Sequence, residues 1–180
     1  YTGYKPHSIK MNIEKGVIKE MPKQLKLAGK GYYLLIGVGK DFDAEEWYRK
    51  HGFRPDEDEN TYLSAPENDV RVLANVLRYD NHLRLGAMEE LLNSDATILN
   101  VESKLTKLIF KMKQEDYLVI YFSGHGIGGD GEKYDAIALA DGWLGDYDLR
   151  DFLIEDIFQS AGLEITDVTL ILDACYSESF

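Results

Sequence analysis

A histidine and a cysteine stand fifty residues apart, each delivered by an apolar run. Leu118-Val119-Ile120-Tyr121-Phe122-Ser123-Gly124-His125-Gly126 sets His125 between two glycines. Leu170-Ile171-Leu172-Asp173-Ala174-Cys175 ends in the only cysteine of the chain. A buried strand that ends in a reactive side chain is how open α/β sheets build sites, at the carboxyl edge of the strands. A thiol and an imidazole on two such edges can act as nucleophile and base. The imidazole generates the thiolate, since the thiol itself is a poor nucleophile, and later protonates the leaving group. Each residue alone has an ordinary explanation. A free cysteine is commonly a small core residue, and a loop histidine needs no chemistry. The pair, each member flanked by small residues that let a substrate backbone approach, favours catalysis.

Ser123 lies two residues before His125, and Asp173 two before Cys175. Side chains alternate along a strand, so residues i and i+2 share a face. Ser123 and Asp173 are therefore placed beside the candidate base and nucleophile, although Asp173 can equally cap a strand end.

The elements that must position these residues are legible as hydrophobic patterns. Tyr32–Val38 is a continuous apolar run of strand length, as expected for a strand covered on both faces. Ser64-Ala65-Pro66-Glu67 reads as a capping box with proline in the first turn. Val70, Leu73, Ala74 and Leu77 follow at helical spacing. Ala96–Leu99 reads as a strand, and Val101, Leu105, Leu108, Ile109 and Met112 form one face of a second helix. Strands are expected at Tyr117–Phe122, Ala136–Ala140 and Val168–Leu172, with a third helix marked by Leu149, Phe152, Leu153 and Ile157 and closed near Gly162. Alternation of strands with helices means a parallel sheet with helices on its faces. Residues 1–30 read as an N-terminal arm with a short strand near Ile13–Ile18, and Gly39–Thr61 as a long loop carrying the solvated run Asp56–Glu59. No helix follows the last strand, and a sheet edge left this bare is expected to be completed by further polypeptide.

Tyr-Phe-Ser-Gly-His-Gly followed by Asp-Ala-Cys-Tyr-Ser resembles the catalytic pair of the caspase-like cysteine peptidases, and the histidine-to-cysteine spacing agrees. The similarity runs from Tyr32 to the end and is nearer to metacaspases and paracaspases than to animal caspases. The string Gln-Ala-Cys-Arg-Gly of animal caspases is absent, and Tyr176 stands where metacaspases often have histidine. Leu63–Val70 is similar to the helix start of metacaspases and paracaspases, where an aspartate, here Asp69, lines the specificity pocket. The resemblance implies an α/β fold, a caspase-like three-layer sandwich with a mostly parallel sheet flanked by helices. It implies that residues 31–180 are the large-subunit part of the catalytic domain, completed by a small-subunit segment or second chain. It implies a cysteine endopeptidase cleaving after Arg or Lys, with Cys175 and His125 catalytic. The N–H groups of Gly126 and Cys175 would receive the oxyanion. Asp69, Asp173 and Ser123 would line an acidic socket; on the plainer reading Asp69 is an exposed helix residue. An animal caspase needs basic residues in that pocket, and no arginine stands beside these strand ends. Two alternatives stay open: a catalytically silent scaffold of the same fold, and an exported clostripain-like peptidase.

The bulk properties narrow the partners. A chain of 180 residues is about one domain. A net charge of −12 argues against nucleic acid or an anionic membrane as a partner. One cysteine excludes an internal disulfide and favours a reducing, cytoplasmic location, and no apolar run approaches a membrane span. Gly126–Gly131 satisfies G-x-G-x-x-G, but a dinucleotide site needs a helix at the last glycine, and Glu132–Ala138 reads as loop and strand. No cofactor is required by this chemistry. Calcium is a possible activator by the same resemblance, through the acidic stretch Asp141, Asp146, Asp148 and Asp151, whose spacing matches no standard calcium loop. His7, His51 and His82 have no partners at zinc-ligand spacing, so no metal site is expected.

Overall fold

The computed structural model describes residues 29–39, 63–80, 83–127, 135–164 and 167–175. Residues 1–28 of the N-terminal arm, nearly all of the 39–61 loop, His7, His51, His82 and the glycine-rich stretch after Ile127 lie outside the described residues.

Among the described residues, four strands form one sheet in the order β2 (Leu85–Leu92), β1 (Gly31–Gly37), β3 (Tyr117–Ser123) and β7 (Val168–Asp173), with every neighbouring pair parallel. β1 (Gly31–Gly37) is buried along its whole length, as its unbroken apolar sequence requires. β3 (Tyr117–Ser123) and β7 (Val168–Asp173) lie where the apolar runs place them. β2 spans Leu85–Leu92 and was not expected. Its sequence, LGAMEELL, carries Glu89 and Glu90 and lacks β-branched residues, so composition conceals it. Glu89 is tolerated because Lys104 and Lys107 of the next helix pair with its carboxylate.

The strand expected at Ala96–Leu99 does not form. Residues 93–95 make a single 3-10 turn, and α2 (Ile98–Ile109) starts at once. Thr97 caps it by accepting from the Asn100 N–H at 3.2 Å, and Asp141 Oδ1 accepts from the Ile98 N–H at 2.9 Å. Two satisfied N-terminal donors outweigh the β-branched residues of that stretch. α1 runs Pro66–Tyr79 with proline in its first turn, but the capping box is not made. Ala65 is the cap residue, so Ser64 falls one position outside the helix and Glu67 one position short of the box geometry.

After β3 the chain forms β4 (Gly126–Ile127), β5 (Ala136–Leu139) and β6 (Gly142–Gly145), a small antiparallel sheet of its own. A π-helical stretch, Asp148–Glu155, leads into α3 (Asp156–Ser160), and Gly162, at φ +69°, closes it.

The layers follow from strand alternation. Leu34, Ile36, Leu118, Ile120 and Phe122 face α2, Leu153, Ile157 and Phe158 in the larger core. Tyr33 and Leu35 face Val70, Ala74 and Leu77 of α1 in the smaller one. The result is the expected α/β three-layer sandwich around a mostly parallel sheet. Among the described residues, α1 does not cover β7, and Thr169, Ile171 and Asp173 are exposed.

Candidate active site

Ser123 and Asp173 are directly paired across the β3–β7 ladder. His125 and Cys175 each stand two residues beyond that pair, at the carboxyl edge of the sheet. Neighbouring strands are about 4.8 Å apart, so equal overhangs from one paired couple leave the two residues at the same end of adjacent strands. The backbone on both sides is held. The Gly124 N–H donates to Asp173 O at 3.2 Å, the Val38 N–H donates to Ser123 O at 3.0 Å, and His125 O accepts from the Ala138 N–H at 2.9 Å. Gly126 then pairs with Ile137. Its α-carbon lies so near the other strand end that an added Cβ would sit 2.2 Å from Cys175 O. That contact locks the histidine segment against the cysteine segment and requires glycine. Cys175 is exposed and His125 half-buried.

Beside these strand ends is a cavity of about 300 Å³, lined by residues 63–66 with Asp69, Ser123, Gly124 and Asp173. Ser123 Oγ donates to Asp69 Oδ2 at 3.3 Å. Three sequence-derived candidates, Asp69, Asp173 and Ser123, therefore meet at one opening although 54 residues separate Asp69 from Ser123. α1 places Asp69 there because Pro66, Val70, Ala74 and Leu77 are buried against the sheet, which turns Asp69 sideways toward β3.

Tyr121 is a neighbour that sequence reasoning misses. It shares a face with Ser123, and the alternation that groups Ser123 with His125 would have found it. Burial pushes its hydroxyl pKa above the ordinary value; the Ser123 hydrogen bond opposes this, and the negative charges of Asp173 and Asp69 add to it. The phenol thus registers the acidic field of the cavity.

Two carboxylates of the acidic stretch have structural duties. Asp141 caps α2 and Asp151 pairs with Arg150. Among the described residues, no group of three or more His, Cys, Asp or Glu side chains is placed to hold a metal ion. No described helix is long and apolar enough to cross a membrane.

A parallel α/β sheet that presents a cysteine and a histidine at one carboxyl edge defines a class, the three-layer cysteine-peptidase domains. A family model, the caspase domain, matches residues 50–180, well over half of the chain, and the chain belongs to that peptidase family. No curated protein matches it in a sequence comparison. Among solved structures it is similar to protein GSU0716 from Geobacter sulfurreducens, at 20% identity and a TM-score of 0.55 over 82% of this chain. At that identity the likeness is one of fold. The chain spans about half, 51%, of the length of that protein.

Proposed function

We propose that the protein is a cysteine endopeptidase that cleaves peptide bonds after Arg or Lys. The observation that carries this reading is the cavity in which Asp69, Asp173 and Ser123 converge beside the strand end bearing Cys175. A substrate guanidinium offers a planar fork that two carboxylates satisfy by charge-assisted hydrogen bonds. An aspartate there would add a third negative charge with no counter-ion, and desolvation would exclude it.

The reaction follows from the two overhanging residues. His125 takes the thiol proton as Cys175 Sγ attacks the carbonyl carbon. The N–H groups of Gly126 and Cys175 hold the oxyanion of the tetrahedral intermediate. Its collapse breaks the C–N bond, and His125 returns the proton to the leaving amine. Water, deprotonated by His125, then hydrolyses the thioester. None of these steps calls for a metal, and calcium, if it acts, acts outside them.

The face of β7 left exposed among the described residues supports a further polypeptide segment as partner, in line with a small subunit. Ile171 is 45% exposed, and Val72, Val76 and Tyr79 make an exposed apolar stripe on α1, the helix covering the neighbouring strands of that face.

The test is a panel of fluorogenic peptides differing only before the scissile bond, assayed with the full-length protein. Arg is expected to be preferred over Lys, with Asp refused. Asp69→Ala is expected to raise the barrier for Arg peptides by about 2–5 kcal/mol, as for a desolvated charge that loses its partner. Preference for Asp, or an Asp69→Ala variant with unchanged Arg cleavage, refutes the assignment. Full retention of activity on Cys175 alkylation leaves only a non-thiol mechanism.

A further inference from the structure

Asn93 stands just past β2, outside the cavity, at φ +50°, the only described non-glycine residue with positive φ. Asparagine is one of the few side chains that accept this conformation. There its amide reaches two segments at once. Asn93 Oδ1 accepts from the Gly39 N–H at 3.1 Å, and Asn93 Nδ2 donates to Glu67 Oε2 at 3.1 Å. Gly39 O in turn accepts from the Leu63 N–H at 3.0 Å, and Glu67 Oε1 accepts from Arg71 Nη2 at 2.8 Å. Leu63 and Pro66 form one rim of the cavity, and Asp69 lies half a turn beyond Glu67.

We infer that Asn93 is a positioning residue for substrate specificity: its side chain ties the end of β1 to the first turn of α1 and so sets where Asp69 meets the cationic side chain. The inference rests on the reading of the cavity as the seat of the residue before the scissile bond. Asn93 is not among the residues that line the cavity, and its two amide bonds go to Gly39 and Glu67. Its loss is therefore felt in substrate binding and not in the bond-breaking steps. A positive-φ asparagine is a costly choice for a turn that glycine would make freely, and the two amide bonds give it a reason.

The experiment exploits the polarity of the Asn93–Glu67 bond. Asn93→Asp keeps the acceptor for Gly39 but sets a carboxylate against Glu67. Adding Glu67→Gln supplies an amide donor to the new carboxylate and keeps an acceptor for Arg71, restoring the link in reverse. With an Arg peptide, Asn93→Asp is expected to raise KM about tenfold, the scale of one lost hydrogen bond to a charged group, with kcat within about twofold. The double variant is expected to recover most of the affinity. A fall in kcat with KM unchanged, or no recovery in the double variant, overturns the inference. Asn93→Gly keeps the backbone conformation while deleting the amide, and serves if Asn93→Asp misfolds; it is expected to raise KM likewise. Amide exchange across residues 63–70 is a readout independent of substrate: it is expected to quicken in Asn93→Asp and recover in the double variant. If the wild-type protein cleaves after neither Arg nor Lys, the specificity reading falls, and amide exchange alone decides whether Asn93 holds this rim.

Discussion

Gly126→Ala is the sharpest perturbation of the site, because it deletes no reacting group and acts only by moving them. The added Cβ would lie 2.2 Å from Cys175 O and 3.1 Å from the Ala174 Cβ. A comfortable carbon–oxygen approach is roughly 3.3 Å, so the two strand ends must separate by about 1 Å. Neither neighbour is the free end of a flexible side chain, so the shift falls on the backbone that carries Cys175. Misplacement of about 1 Å between reacting groups costs on the order of 10²-fold in rate, or about 2.7 kcal/mol of barrier. The strain should also lower stability by about 1–3 kcal/mol. The loss is expected mainly in kcat, since the Asp69 cavity stands to one side. The assay is steady-state hydrolysis of an Arg peptide with thermal denaturation alongside. Gly142→Ala is the control: its Cβ would meet only Ile98 Cδ1, at 3.9 Å, and it should change neither quantity. A Gly126→Ala protein with wild-type kcat and melting temperature would show that the two segments are not locked as described.

Further expectations follow from the same geometry. Cys175→Ala should abolish hydrolysis with folding intact by circular dichroism, and His125→Ala should lower kcat by about 10²–10⁴-fold; full activity in Cys175→Ala would end the cysteine-peptidase reading. Glu89, half-buried in β2, is disfavoured by burial, but its bonds to Lys104 and Lys107 prevail and hold its pKa below the usual carboxylate value of 4.5. A depressed folded-state pKa contributes stability above the unfolded value that is lost as pH falls through the folded one. Glu89→Gln should therefore cost about 1 kcal/mol at neutral pH and flatten the loss of stability below about pH 4.5 in urea titrations; an unchanged slope would exonerate the pair. Ile171→Lys should leave the described fold intact but weaken association with the segment proposed to cover β7, measured by sedimentation; unimpaired association would refute that interface.

Much of this protein was legible because it is written in periodicity. β1, β3 and β7 are apolar runs that can exist only inside a sheet, and α1 and α2 carry their buried faces at helical spacing. β2 was not legible, since two glutamates in a strand look like a surface until Lys104 and Lys107 arrive from α2. Ala96–Leu99 misled for the converse reason: β-branched residues suggested a strand, but Asp141, more than forty residues away, caps a helix there. Asn93 could not be singled out, because its importance lies in a positive φ and in partners at positions 39 and 67.

Residue type and order by themselves determined the chemistry on offer: one thiol and one imidazole at strand ends, with a carboxylate and a hydroxyl two residues earlier on alternating backbone. Those relations are local, and strand alternation transmits them without knowledge of the fold. Only tertiary structure decided that Ser123 and Asp173 are register partners, which gives His125 and Cys175 equal overhangs, and that α1 turns Asp69 into the same cavity. Register and helix rotation depend on which buried faces pack together across the sheet, a property of contacts distant in sequence.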